Sequence, residues 1–350
     1  MTKLKKAALF TDLHWGRKGN SKIHNKDCSD FIKWFCQQCK DHEVDHVFFG
    51  GDWFEERTAI DSLTAKLALD AARELNSLGI PIYFIVGNHD LYYRDNREVF
   101  ATYAYSELSN FHMIDEPTVI DDTLKKTLIC PFLFEDEYGI LTQYFDVPVW
   151  VGHFEFKGFV LTGDNVKKKD GPDPKNFSAP DIIMSGHFHK RQGHEEYEKG
   201  KSNVVYIGNT FPMDFGDAND YDRGMAIYDY ESGVLDFVNW EDCPKYQRIT
   251  LSKLKDDPKL LQNNARIKCD ADIDITYDQQ SALKTALINK FNLREFNINE
   301  ITEVTIEDGE LTEEEINSES TESLVRKLLE RVEGKDIDSE KLIKVWDSVA

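Results

Sequence analysis

Five short clusters carry the residue types that could do chemistry: Asp12-Leu13-His14, Gly51-Asp52, Asn88-His89-Asp90, His153, and His187-Phe188-His189. Carboxylate, carboxamide and imidazole donors without a thiolate suit borderline-hard ions of higher coordination. That donor set points to manganese first, with iron or magnesium as alternatives, rather than to a cysteine-closed zinc site. Two such ions about 3.5 to 4 Å apart can clamp the attacking and leaving oxygens of an in-line displacement at phosphorus. The pair needs a bridging carboxylate, and Asp52 is the natural one. In Asp12-Leu13-His14 and His187-Phe188-His189 the polar residues are two apart, so an extended segment would turn both to the same side. Gly16, Gly50, Gly51, Gly87, Gly152 and Gly186 stand close by and permit tight turns and close backbone approach. A lone histidine beside a strand is more often structural than a ligand. Five clusters in succession, each after an apolar run and beside glycine, favour a shared site.

The elements that must position them are short β-rich runs alternating with helical stretches. The runs KAALFTD, HVFFGGD, IPIYFIVGNHD, KTLICPF, VPVWVGH, DIIMSGH, VVYIGN and GMAIYDY are each bounded by turn residues and read as buried strands. DFIKWFCQQCKDH and DSLTAKLALDAARELNSLG read as helices, the second capped at Gly79. The fold class is α/β, layered, over residues 1–242. In an open α/β sheet the loops at the carboxyl ends of the strands meet in one crevice, which would bring the five clusters together. Residues 243–302 read as a small α+β appendage and 303–322 as an acidic linker. Residues 323–350 read as two short amphipathic helices, with Leu324, Leu328 and Val332 on one stripe and Leu342, Trp346 and Val349 on the other. Such helices cannot bury their stripes alone, which suggests docking on another helical surface.

The bulk properties allow this reading. A chain of 350 residues, 41% hydrophobic, can build one large core and one or two small ones. No apolar run reaches the roughly 18 to 20 residues of a membrane span, and MTKLKKAALF leads straight into charge. Six scattered cysteines fit a reducing compartment, so a cytoplasmic protein is expected. The net charge of −22 is unusual for a nucleic-acid enzyme and taken alone favours a protein that avoids polyanions. Part of it is local, since residues 303–322 hold nine acids and no base. Bound divalent ions would also supply positive charge where a phosphate must sit. Lys167, Lys168, Lys169, Lys175, Lys190 and Arg191 flank the last two clusters and are candidate phosphate contacts, with a solvated loop the equal alternative. Cys36 and Cys39 lie mid-helix without a second pair and read as buried thiols. Packing or surface roles are expected for His24, His42, His46, His112 and His194.

The motifs DLH, GD, GNHD, GH and GHFH, in this order over about the first 210 residues, resemble those of the calcineurin-like metallophosphoesterase superfamily. Within it GGDWFEERTAI, IVGNHDLYYR, the GHFEFKGF stretch and the total length look most like the SbcD-type DNA-repair nucleases, in particular the recombination nuclease subunit of tailed phages. The resemblance implies a two-sheet sandwich flanked by helices, with a small capping domain and C-terminal helices. It implies one metal on Asp12, His14 and His189, a second on Asn88, His153 and His187, and Asp52 between them. His89 would face the scissile phosphate and protonate the leaving oxygen, while Asp90 would fix that histidine or cap the next helix. It further implies manganese-dependent exonuclease action on duplex DNA ends and endonuclease action on single strands. A coiled-coil ATPase partner of the SbcC type would bind the C-terminal helices, and a homodimer would form through helices near 60–78 and 92–108. Two departures are visible: Glu55 stands where an aspartate is common, and VYIGNTFPMDFGD replaces a glycine-serine turn. A small-molecule phosphomonoesterase or cyclic-nucleotide phosphodiesterase, and a non-catalytic adaptor, are the alternatives. The intact ligand set weighs against the adaptor and the tethered tail against the small-substrate enzyme.

Overall fold

The computed structural model describes residues 3–160, 167–193, 203–300, 305–306, 332–333 and 341. The strands before residue 243 are β1 (Lys6–Phe10), β2 (His46–Phe49), β3 (Ile82–Ile85), β4 (Phe111–Ile114), β5 (Thr118–Ile120), β6 (Thr127–Cys130), β7 (Val149–Gly152), β8 (Ile182–Ser185), β9 (Val204–Tyr206), β10 (Gly224–Asp229) and β11 (Val234–Asn239). All eight apolar runs became strands. The three strands with no such run, β4, β5 and β11, lie at sheet edges, where one flank is unpaired and the apolar pattern is diluted.

One sheet has the order β11-β10-β1-β2-β3-β4 and the other β5-β6-β7-β8-β9. β1 to β4 run parallel, as do β6 to β9, while β5, β10 and β11 pair antiparallel with their neighbours. Every residue of β2, β3, β6, β7 and β8 is buried, as expected for parallel strands covered on both faces. Leu9, Phe48 and Ile85 of the first sheet meet Val149, Val151, Ile182 and Met184 of the second, which makes the sandwich core. The other face of the first sheet packs Phe10 and Phe49 against helices α1 (Lys22–Asp41) and α2 (Ser62–Asn76). The outer face of the second is covered by a 3-10 segment, Glu135–Tyr144, whose Tyr138 and Leu141 cluster with Trp150 and Tyr206.

Helix α1 starts eight residues before its apolar pattern because polar groups carry its first turns. Asn25 accepts from the Gly16 N–H at 2.9 Å and donates to Thr64 Oγ1 at 2.7 Å. Helix α2 is capped by Asp61, whose carboxylate accepts from the Thr64 N–H at 2.6 Å. It ends at Asn76, and Gly79 takes the left-handed φ of +69° just beyond it. The six cysteines are free and buried, Cys36 and Cys39 within α1, where burial pushes the Cys36 thiol up to about 12.

Residues 243–300 hold strands β12 (Lys245–Thr250), β13 (Ala265–Ala271) and β14 (Glu295–Glu300) in one sheet, with helices α3 (Leu251–Asp256) and α4 (Tyr277–Phe291). Two compact units divide the described chain. One takes residues up to 248 with 261–267 and 287–295, and the other takes 249–260, 268–286 and the described residues from 296 onward.

The tail departs from expectation. Thr305–Ile306, placed in the acidic linker by sequence, pairs antiparallel with Val332–Glu333, placed in a helix. Three of these four residues are β-branched, which favours extended pairing over helix. Leu324, Leu328, Leu342, Trp346 and Val349 lie outside the described residues, as does the side chain of Val332. The helix expected near 92–108 is reduced to a 3-10 turn at Tyr103–Glu107. Among the described residues no helix is long and apolar enough to cross a membrane.

Candidate metal centre

The five clusters follow the carboxyl ends of β1, β2, β3, β7 and β8, and the structure brings all eight polar residues the sequence singled out, together with Asp90, to one end of the sandwich. The extended geometry expected within the motifs is not what aims them. Asp12 and His14 both have φ of +53°, Asp52 has +60° and His187 has +88°. The chain turns at each of these residues instead of running on as strand, while the intervening Leu13 and Phe188 are buried in the core. Left-handed backbone at a non-glycine residue costs about 1 to 3 kcal/mol and persists only where its surroundings fix it. Four such residues in one cluster mark the site as strained for a purpose.

Close approach explains two of the glycines. A Cβ on Gly87 would collide with the Asp52 carboxylate and its backbone nitrogen, and one on Gly51, at φ +100°, with the His153 ring.

Three overlapping groups of donors converge: Asp12, His14 and His189; His14, Asp52 and His89; and Asp52, His153 and His187. On one side His14 Nε2 lies 3.1 Å from His189 Nε2, and the two nitrogens stand 3.8 and 3.9 Å from Asp12 Oδ1. On the other, Asn88 Oδ1 is 3.0 Å from both His153 Nε2 and His187 Nδ1. Asp52 Oδ2 sits between the two sides, 3.9 Å from His14 Nε2 and 3.3 Å from His153 Nε2.

The outward atoms of these groups are held by protein. His153 Nδ1 donates to the Gly50 carbonyl at 2.6 Å, which leaves Nε2 as the inward atom. Asp12 Oδ2 accepts from Thr11 Oγ1 at 2.5 Å and from the His187 N–H at 3.1 Å. Asp12 Oδ1, by contrast, is buried with no hydrogen-bond partner and faces the cluster. An unpaired buried carboxylate oxygen beside two ring nitrogens that can share at most one proton fits a cation held in common. Against the burial that disfavours charge, Asp12, Glu55 and Asp52 push the His14 imidazole up to about 10, and Asp52 with Asp12 pushes His153 up to about 9. The cluster therefore draws positive charge, and divalent ions taken up here would displace those protons.

Around the donors lies a shell that the sequence did not reveal. Glu55 Oε2 is 2.8 Å from His14 Nδ1 and 3.0 Å from Arg17, whose other amine reaches Asp214 Oδ2 at 2.8 Å. The Glu55 carbonyl accepts from His89 Nδ1 at 2.8 Å. Because a carbonyl only accepts, that nitrogen carries a hydrogen and Nε2 is the atom left for proton exchange. Glu155 Oε1 holds His187 Nε2 at 3.3 Å, and His24 Nε2 holds the His14 carbonyl at 2.8 Å. Glu55 and Asp214 were visible in the sequence only as departures from a pattern, and His24 only as a histidine outside the motifs.

The Asp90 carboxylate is bonded to backbone groups of two turns. Its Oδ1 accepts from the N–H groups of Trp53 and Phe54 at 3.0 and 3.1 Å, and its Oδ2 from those of Asp52 and Gly87 at 3.1 and 3.0 Å. One buried carboxylate thus staples the turn that carries Asp52 to the turn that carries Asn88.

Residues 5–191 match the family model described as calcineurin-like phosphoesterase. The chain belongs to this family. It is also 28% identical over 231 residues to exonuclease subunit 1 of Enterobacteria phage T4, a match that spans 65% of this chain and 65% of that protein. Among solved structures, a dimetal phosphatase from Danio rerio is similar with a TM-score of 0.35 and 11% identity over 65% of this chain and 93% of that one. A nuclease from Pseudomonas putida gives a TM-score of 0.32 and 14% identity over 65% and 85%. The family is one of phosphate-ester hydrolases, and the convergent donors of this chain are candidate holders of the divalent metal ions that its fold implies.

Beside the donors of this phosphoesterase a cleft of about 320 Å³ opens, bounded by Asn88 and Glu155 and lined by Phe132, Phe134, Tyr93, Arg57, Arg94 and Lys168. The cations read from sequence are placed unevenly around it. Lys168 reaches the cleft and pairs with Glu155 Oε1 at 2.9 Å. Lys167, Lys169 and Lys175 are exposed and Lys190 is half-buried. The Arg191 guanidinium is engaged elsewhere: it donates to Asn239 Oδ1 at 2.7 Å and to the Ile207 carbonyl at 3.3 Å, and lies over the Phe237 ring. Burial, with Arg223 nearby, pulls it down to about 10. His194 lies outside the described residues.

Proposed function

We propose that this phosphoesterase is a manganese-dependent DNA nuclease, an exonuclease on duplex ends and an endonuclease on single strands, acting as the nuclease subunit of an ATPase-nuclease complex in recombination and double-strand-break repair. The observation that carries the step from phosphoesterase to nuclease is the 231-residue similarity to the T4 exonuclease subunit. The convergent donors support the chemistry.

Asp12, His14 and His189 would hold one ion, Asn88, His153 and His187 the other, and Asp52 would reach both. When bound, the ions neutralise phosphate charge and lower the pKa of water, so that hydroxide is available near neutral pH. The chain's own residues do the rest. Glu55, through its carbonyl, fixes the His89 ring so that Nε2 points at the phosphate, where the protonated imidazole gives its proton to the departing oxygen. Glu155 and Glu55 hold His187 and His14 from behind, which keeps the inward nitrogens free. Lys168 contributes positive charge at the cleft. Lys167, Lys169, Lys190 and Arg191 complete the proposed DNA-facing set, with Arg191 acting through the loop it braces. The C-terminal segment, residues 323–350, is proposed to dock on the ATPase, an SbcC-type coiled-coil subunit, and the active form to be a homodimer.

The test is end-labelled duplex DNA and circular single-stranded DNA incubated with manganese, with and without the ATPase. Wild-type protein should release nucleotides, and His89→Ala should slow cleavage by roughly 10² to 10⁴-fold. Rapid turnover of small phosphomonoesters with no DNA cleavage under any of these conditions would overturn the nuclease reading. Retained ATPase binding by a chain ending at residue 302 would overturn the docking role of the tail.

A further inference from the structure

We infer that the cleft beside Asn88 is a nucleoside site: it takes the base and sugar next to the scissile phosphate, stacks the base on the Phe132–Phe134 wall, and gives Arg57 and Arg94 to a neighbouring phosphate. The inference rests on the nuclease reading and names the part of the substrate that the donor cluster does not touch.

Three observations carry it. First, the cleft is joined to the reaction centre by a single ring. The Phe132 centroid is 5.8 Å from that of His187 and 6.2 Å from that of His153, and Asn88 and Glu155 border both spaces. A group attached to a phosphate at the donors would enter the cleft without a linker. Its volume of about 320 Å³ falls within the range of small-molecule sites.

Second, the aromatic wall is built rather than incidental. Phe132 and Phe134 stand edge to face, with centroids 5.7 Å apart. Arg97 fixes both. It donates to the Phe132 carbonyl at 2.9 Å, lies over the Phe134 ring at 5.4 Å, and is itself locked by two 2.6 Å contacts to Glu137. Glu137 in turn accepts from the Phe134 N–H at 2.8 Å. A phenylalanine pair held by a buttress of this kind presents a fixed face, and every base offers a π surface to such a face.

Third, two arginines reach this cleft beyond the pair that Lys168 makes with Glu155, and its charged lining is balanced overall by Glu135 and Asp170. Arg57, Arg94 and Lys168 line one cavity, and Glu135 and Asp170 complete its rim. Lys168 is tied back to Glu155, whereas Arg94 is exposed. Fixed aromatic surface and two arginines in the same cleft match a nucleotide better than a bare phosphate or a phosphosugar. Since stacking reads no base edge, the site should require a base and be indifferent to which one.

The test is calorimetric binding to the manganese-loaded full-length protein of dAMP, dCMP, 2-deoxyribose 5-phosphate and inorganic phosphate. Base stacking of ordinary strength predicts that both nucleotides bind roughly 5- to 150-fold tighter than the phosphosugar, and within a few-fold of each other. Phe134→Leu should remove most of that margin and Phe134→Trp should keep it. Equal affinity for dAMP and 2-deoxyribose 5-phosphate in the wild-type protein overturns the inference, and this comparison needs no variant to fold. An abasic residue placed in turn on either side of the cleaved bond gives an independent reading. DNA cleavage that ignores the missing base on both sides refutes the nucleoside site and leaves the nuclease standing, whereas tight dAMP binding without DNA cleavage refutes the nuclease and leaves the site.

Discussion

Replacing Asp90 tests whether the site is stapled as the structure describes. Each carboxylate oxygen takes two backbone N–H groups, Oδ1 those of Trp53 and Phe54 and Oδ2 those of Asp52 and Gly87. In Asp90→Asn the amide oxygen can serve one pair, and the NH₂ group then faces the other pair, donor against donor. Two buried N–H groups lose their acceptor, at about 1 to 3 kcal/mol each, so the variant should lose about 2 to 6 kcal/mol. At roughly 2 to 4 °C per kcal/mol for a domain of this class, the melting midpoint should fall by about 5 to 20 °C. Asp90→Ala should be no milder, because it orphans all four donors. Manganese affinity should fall with stability, since the stapled turns carry Asp52 and Asn88. The assay is thermal unfolding followed by circular dichroism, paired with calorimetric titration of manganese. An asparagine variant that melts within about 2 °C of wild type, binds manganese normally and loses only cleavage would refute this account and return Asp90 to the role of orienting His89.

Other substitutions probe neighbouring links. Gly87→Ala should weaken manganese binding at least roughly 10-fold, because its Cβ meets the Asp52 carboxylate and backbone where neither can retreat; unchanged titration would refute the packing argument. Glu55→Gln leaves one acceptor oxygen where a carboxylate now serves both His14 and Arg17. It should reduce metal affinity or turnover by roughly 10- to 100-fold, typical for a group that holds a ligand from behind; full activity and affinity in that variant would show that His14 needs no such brace. Removing metal with a chelator should lower the melting midpoint, and manganese at 100 times its dissociation constant should restore about 2.7 kcal/mol. A midpoint indifferent to manganese would mean that the native state does not bind the ion in preference to the unfolded chain.

How much of this was legible in the sequence follows from the range over which each feature is encoded. The donors were legible because each motif is local, an apolar strand followed at once by a polar residue and glycine. Their convergence followed from strand polarity alone. The backbone that aims them was not, since nothing in Asp12-Leu13-His14 tells an extended pair from two left-handed turns, and only the buried position of Leu13 decides it. The backbone partners of Asp90 were not legible, because Asp52 to Phe54 lie 36 to 38 residues away in the chain. Nor could the sequence show that the guanidinium of Arg191, next to Lys190 in the chain, bonds to Asn239 and lies over Phe237.

The strain and the acidity of the site belong to one design. Carboxylates at Asp12, Asp52, Glu55 and Glu155 gather within reach of five imidazoles, and four left-handed residues bend the chain to bring them there. Partners at the rear of each group, the Thr11 hydroxyl at Asp12, the Glu55 carboxylate at His14, the Gly50 carbonyl at His153 and the Glu155 carboxylate at His187, leave the inward atoms turned to one another. An acidic surface then does little harm to phosphate binding. The attraction is concentrated where ions would sit, and the low-dielectric surroundings strengthen it there, while the remaining charge is screened by salt within about 8 Å.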